Sequence, residues 1–118
     1  MNRVKFSADW DKLDGPRFTT VRTYRPEKHA YYQSKVGEKF TILRVPHEWS
    51  YKGRKIGEAT LLSVSVVKPG NLPAAKLQRD VTRGGKVDQA WLDRLLKMPT
   101  AILLEFENHT GLLAQRDR

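Results

Sequence analysis

The sequence predicts an α+β fold: a small barrel of about five or six mixed or antiparallel strands with one or two flanking helices. Three observations predict it. Runs of β-branched and aromatic residues recur between turn signals, joined mostly by connections too short for βαβ crossovers. A single stretch, Val87 to Lys97, has strong helical periodicity. The chain has 118 residues without a break in composition, which is the size of one domain. Residues 1–107 are assigned to that domain and residues 108–118 to a polar tail.

The elements follow in order. Val4-Lys5-Phe6 alternates as a short strand. Ser7 then offers a side-chain oxygen to a turn of helix over Ala8 to Leu13, with Asp9 and Asp11 at its positive end and Gly15-Pro16 closing it. Phe18-Thr19-Thr20-Val21 reads as a strand between Arg17 and Arg22. The segment 23–35 is a loop with a helical turn begun by Pro26. Lys39 to Val45 is a strand entered through a turn at Gly37 and ended by Pro46. Lys52-Gly53 marks a turn. Ile56 to Val67 is the longest β signal. Ala59, Leu61, Ser63, Ser65 and Val67 share one face and Thr60, Leu62, Val64 and Val66 the other, as a central strand requires. Leu72 to Val81 is weakly helical and Gly84-Gly85 breaks it. In the helix from Val87 to Lys97, the residues Val87, Trp91, Leu92, Leu95 and Leu96 line one face, and Pro99 follows. Ala101 to Glu107 closes the domain as a strand.

Composition excludes several chemistries. There are no cysteines, so disulfide scaffolds, zinc fingers, iron–sulfur clusters and cysteine nucleophiles are ruled out. No apolar run approaches the roughly 18 residues of a bilayer-spanning helix. Met1 to Trp10 contains no apolar leader, so the cytoplasm is the expected compartment. His29, His47 and His109 lie far apart and form no metal-binding spacing. Neither a metal nor a cofactor is expected.

The charge points to a polyanion. Lys and Arg number 22 against 13 Asp and Glu, a net charge of +9. Between residues 17 and 55, ten basic residues face three acidic ones, so seven of the nine surplus charges lie there. Within that segment Tyr24, Tyr31, Tyr32, Trp49 and Tyr51 interleave with Arg22, Arg25, Lys28, Lys35, Arg44, Lys52, Arg54 and Lys55. Bases stack on rings while phosphates pair with cations, so this mixture suits single-stranded nucleic acid. Core packing accounts for some of the rings; Trp10 and Trp91 are assigned to the core. On the strand from Arg17 to Arg22, strict alternation sets Thr20 beside Arg22, a hydroxyl next to a guanidinium. Such a pair can hold a phosphate or a base edge; a threonine in its ordinary β role is the competing account. The turn Arg83-Gly84-Gly85-Lys86 offers amides to a phosphate or serves as a plain connection.

Gly15, Arg17, Thr20 and Arg22, followed by Val36-Gly37-Glu38 before a strand and by the closing strand Ile102 to Phe106, resemble the ASCH family, related to PUA domains. The resemblance covers about residues 4–107. It implies a PUA-like pseudo-barrel with a cleft beside the Thr-x-Arg strand and an RNA- or nucleotide-binding role, with Tyr24 or Trp49 stacking a base and Arg17, Thr20 and Arg22 lining the cleft. Some small bacterial members are amidohydrolases acting on N4-acetylcytidine, using a lysine and a threonine of the motif with a carboxylate from the helical region. Thr20 matches that threonine. Asp80 is the nearest carboxylate, and Glu58 is a second candidate to move protons. The chain departs from the pattern at two places: Arg17 stands where the motif lysine falls, and Phe18 where its first threonine falls. An arginine does not lose its proton and cannot activate Thr20. The resemblance therefore implies binding ahead of hydrolysis.

Overall fold

The computed structural model describes residues 2–47 and 53–109. Trp49, Tyr51, Lys52 and the segment 110–118 lie outside the described residues. The elements are β1 (Arg3–Phe6), β2 (Arg17–Thr23), α1 (Pro26–Ser34), β3 (Lys39–Arg44), β4 (Arg54–Val67), α2 (Ala74–Asp80), β5 (Thr82–Arg83), β6 (Lys86–Val87), α3 (Gln89–Leu96) and β7 (Ala101–Asn108). The fold is α+β, as the sequence predicts.

Five strands form one mixed sheet in the order β1-β3-β4-β7-β2, curled into a half-barrel. β1 runs parallel to β3, and the other three pairings are antiparallel. Three helices flank the sheet, one more than the sequence predicts. The third arises because Pro26, at the first helical position of α1, carries its helix on to Ser34. The core fills the concave side. Phe40, Ile42, Leu61, Ile102, Leu104 and Phe106 are fully enclosed there. A ladder of rings crosses it from strand to strand: Phe6 to Phe18 at 6.0 Å, Phe18 stacked on Phe106 at 5.2 Å, and Phe106 edge-on to Phe40 at 5.4 Å.

Two local features depart from the sequence reading. The expected turn of helix over Ala8 to Leu13 is a shorter 3-10 turn, Asp11–Asp14. Trp10 stands at its capping position with no side-chain cap. Ser7 does not cap it. Residues three apart eclipse in a 3-10 turn, so Asp11 and Asp14 both face solvent while Lys12 and Leu13 turn inward. In β4 the register against β7 shifts between Leu61 and Ser63. That bulge swaps the faces beyond it: Leu61 is buried, Ser63 is exposed, and Val64 packs against the core.

The remaining joints follow their residues. Asp88 caps α3, its carboxylate accepting the Trp91 amide at 3.1 Å. Gly37 takes φ +88°, and its amide donates to the Leu61 carbonyl at 2.7 Å. Asn108, placed by the sequence at the head of the tail, ends β7 and donates to the carbonyls of Leu13 and Gly15.

Candidate functional site

β1 and β2 stand at the two ends of the sheet order, and each pairs with the sheet on one side only. The half-barrel is open between them. Across the opening the Arg22 guanidinium of β2 donates to the Lys5 carbonyl of β1 at 2.9 Å. A cleft of about 670 Å³ occupies the seam. Its walls come from both edge strands, from Lys28 and Tyr32 of α1, from Asp80 at the end of α2, from Trp91 and Arg94 of α3, and from Trp10 and Lys12 of the 3-10 turn.

The polar groups of this cleft are unusually buried. Among the described residues three charged or hydroxyl side chains are buried, Lys12, Thr20 and Asp80, at 5, 4 and 4% exposure. All three line the cleft. Lys12 Nζ stands 3.7 Å from Asp80 Oδ1. The same oxygen accepts the Thr19 hydroxyl at 2.7 Å. Burial holds the Lys12 ammonium down to about 8; the Asp80 charge opposes that fall and the Arg22 charge adds to it. Burial likewise pushes the Asp80 carboxyl above its ordinary value, against the pull of Lys12 and the Thr19 hydrogen bond. Two cleft atoms are enclosed without a hydrogen-bond partner: Asp80 Oδ2 and Arg22 Nε.

Rings and cations frame these groups. Trp10 and Trp91 meet edge to face at 5.9 Å. Arg94 lies over Trp91 at 4.3 Å, and Arg22 over Phe6 at 4.9 Å. Six basic residues line the cleft, Arg3, Lys5, Lys12, Arg22, Lys28 and Arg94, against the single carboxylate of Asp80.

The sequence-predicted residues divide. Thr20, Arg22, Lys28 and Asp80 come together in the cleft. Arg17 does not; it is exposed and pairs with Glu107 across the β2–β7 ladder at 3.7 Å. Tyr24 packs partly against the core, 6.2 Å from the His29 ring. Arg25 is exposed at the cap of α1, and Lys35 pairs with Glu38 at 3.9 Å. Arg44 pairs with Asp9 at 3.0 Å. Arg54 and Lys55 open β4, exposed, with Lys55 3.9 Å from Glu58. Glu58 also binds Lys39 at 3.0 Å, which holds its carboxyl below its ordinary value, and it takes no part in the cleft. The basic segment 17–55 is therefore no single surface. Trp10 and Trp91, assigned to the core, also wall the cleft.

Sequence reasoning missed Lys12, and with it the cleft cations Arg3, Lys5 and Arg94. The Arg83-Lys86 turn is the other surprise. Gly84 and Gly85 take φ +60° and +76°, and both amides donate to the carboxylate of Asp11, at 2.8 and 2.9 Å. The turn is an internal connection: the chain's own acid takes the amides that could have met a phosphate. Among the described residues no group of His, Asp and Glu could hold a metal ion, and no helix is long and apolar enough to cross a membrane. No family model matches the chain, and no curated protein or solved structure shows significant similarity to it.

Proposed function

We propose that the protein binds nucleic acid, taking one nucleotide of a single strand into the seam cleft. The observation that carries this reading is the composition of that cleft, six basic residues and one carboxylate among aromatic walls. Cations hold the sugar–phosphate chain, and the rings of Trp10, Trp91 and Tyr32 offer apolar surface to a base. The ASCH-like motif supports the same reading through Thr20 and Arg22. Fluorescence titration of a short single-stranded RNA at two salt concentrations tests it. Affinity should fall steeply with salt, with a log–log slope of about −0.7 per neutralised phosphate. Binding indifferent to salt, or none, would sink it.

A second reading, hydrolysis of N4-acetylcytidine or a similar acylated nucleoside, is favoured by one observation. Lys12, buried in the cleft with its ammonium held near 8, supplies the proton-accepting amine that Arg17 cannot. In this reading Thr20 attacks the acyl carbonyl carbon and Lys12 takes its proton; that proton passes by way of Asp80 to the amine as the C–N bond breaks, and water then releases the acyl group from Thr20 as the acid. Release of cytidine from N4-acetylcytidine, lost in Thr20→Val, is the test; no release by the native chain rejects the reading.

A further inference from the structure

Lys12 sets an amine in the wall of the cleft. Its side chain is 5% exposed and lines the cavity of about 670 Å³. The enclosed, unpartnered atoms of the cleft are Asp80 Oδ2 and Arg22 Nε, and Lys12 Nζ is not among them. Three surroundings make a lysine amine a nucleophile: apolar contact, a neighbouring cation, and a base that takes its proton. Lys12 has all three. Its Nζ stands over the Phe6 ring at 5.6 Å, and the Arg22 guanidinium lies over the same ring at 4.9 Å. Asp80 Oδ1 is 3.7 Å away, held in place by the Thr19 hydroxyl at 2.7 Å. A nucleophilic amine beside a proton carrier condenses with an aldehyde. The other cations of the cleft, Arg3, Lys5, Lys28 and Arg94, favour an aldehyde that carries negative charge.

We propose that the cleft captures a phosphorylated sugar aldehyde as an imine on Lys12, with Asp80 carrying the proton and the cationic wall holding the phosphate. In a single strand that aldehyde is the ring-opened sugar of a nucleotide that has lost its base; a free aldose phosphate presents the same groups. This rests on the reading of the cleft as a seat for sugar and phosphate, and goes beyond it by assigning a covalent step. The Lys12 ammonium passes a proton to Asp80. Nζ adds to the aldehyde carbon, and a proton moves from nitrogen to the new alkoxide. Asp80 returns its proton to that hydroxyl, which departs as water while the C=N bond forms. The imine is protonated, so a positive charge still faces Asp80. No oxidant or reductant takes part.

The test is reductive trapping. The full chain is incubated at pH 7 with cyanoborohydride and one of three probes: a short single strand with one abasic site, the same strand with tetrahydrofuran at that site, or ribose 5-phosphate. Reduction fixes an imine as a secondary amine, and peptide mass mapping locates it. The adduct should form at Lys12 at least about tenfold more than at any exposed lysine, because a larger share of the Lys12 amine is unprotonated. The tetrahydrofuran strand has no aldehyde; it should bind and give no adduct. A Lys12 adduct from the abasic strand alone, or from ribose 5-phosphate alone, upholds the imine and identifies the source of the aldehyde. Adducts spread evenly over the exposed lysines, or no adduct, overturn the proposal. The nucleotide reading then stands if the tetrahydrofuran strand still binds, and falls with the proposal if it does not. Lys12→Arg keeps a cation opposite Asp80 and should lose the adduct. Where that variant does not fold, the peptide map of the unaltered chain decides alone.

Discussion

Replacing Lys12 by methionine gives a pH-dependent stability difference whose size follows from the structure. Lys12 is 5% exposed, and burial lowers its ammonium from an ordinary 10.5 to about 8. A cation whose folded value lies below its unfolded value is charged at a cost: between the two values the unfolded chain binds more protons, so stability rises with pH. At pH 7 the shift costs roughly 3 kcal/mol, and at pH 10 under about 1 kcal/mol remains. The native chain should therefore gain about 2.5 kcal/mol relative to Lys12→Met between pH 7 and pH 10. Urea titrations of both proteins at the two pH values measure the difference. With a slope of about 1–3 kcal/mol per molar, the relative midpoint moves by about 0.8–2.5 M. A difference that stays flat from pH 7 to pH 10 would refute the burial of a charged Lys12.

Other outcomes follow from the same geometry. Phe106→Ala removes a fully buried ring stacked on Phe18 and edge-on to Phe40; it should cost about 3–5 kcal/mol in denaturant titration. Asp11→Ala releases the amides of Gly84 and Gly85; amide exchange should accelerate at those two glycines while the sheet stays protected. Lys28→Gln and Arg94→Gln, on the cleft wall, should each lower the magnitude of the salt slope of RNA binding by about one phosphate's worth. If Lys12 accepts the Thr20 proton, N4-acetylcytidine hydrolysis should rise about tenfold per pH unit up to about 8 and then level off.

The strand that carries Thr20 and Arg22 was legible because alternation with period two needs no tertiary information. Phe18, Thr20 and Arg22 face one way along β2, and Arg22 reaches the seam. Lys12 was not legible. Read as α-helix, Asp9 to Leu13 is a solvated acidic turn with one lysine. In the structure the turn, Asp11–Asp14, leaves Asp11 and Asp14 outside and turns Lys12 and Leu13 inside. Charge density along the chain misled in a related way. The cleft cations Arg3, Lys5, Lys12 and Arg94 lie outside the segment 17–55, while Arg17 and Lys55 within it pair with carboxylates on the exposed strands. A sheet of order β1-β3-β4-β7-β2 brings sequence-distant edges together, which a local count cannot anticipate. The bulge in β4 escaped for the opposite reason, since an unbroken alternation gives no sign of the extra residue.

The open seam and the buried lysine belong to one argument. A closed barrel would join β1 and β2 by a ladder of backbone hydrogen bonds and leave no edge. Here the Arg22 guanidinium reaches across to the Lys5 carbonyl, and the cleft between the strands remains. Inside it sit Lys12 and Asp80, both held away from their ordinary titration by burial. An apolar pair of similar volume at such positions is often neutral or stabilising. The described residues carry buried charge in this cleft and nowhere else. Elsewhere the core is met by Phe, Leu, Ile and Val in ordinary packing. Strain that a chain retains at one place, while satisfying local rules everywhere around it, marks the place where something other than stability was selected.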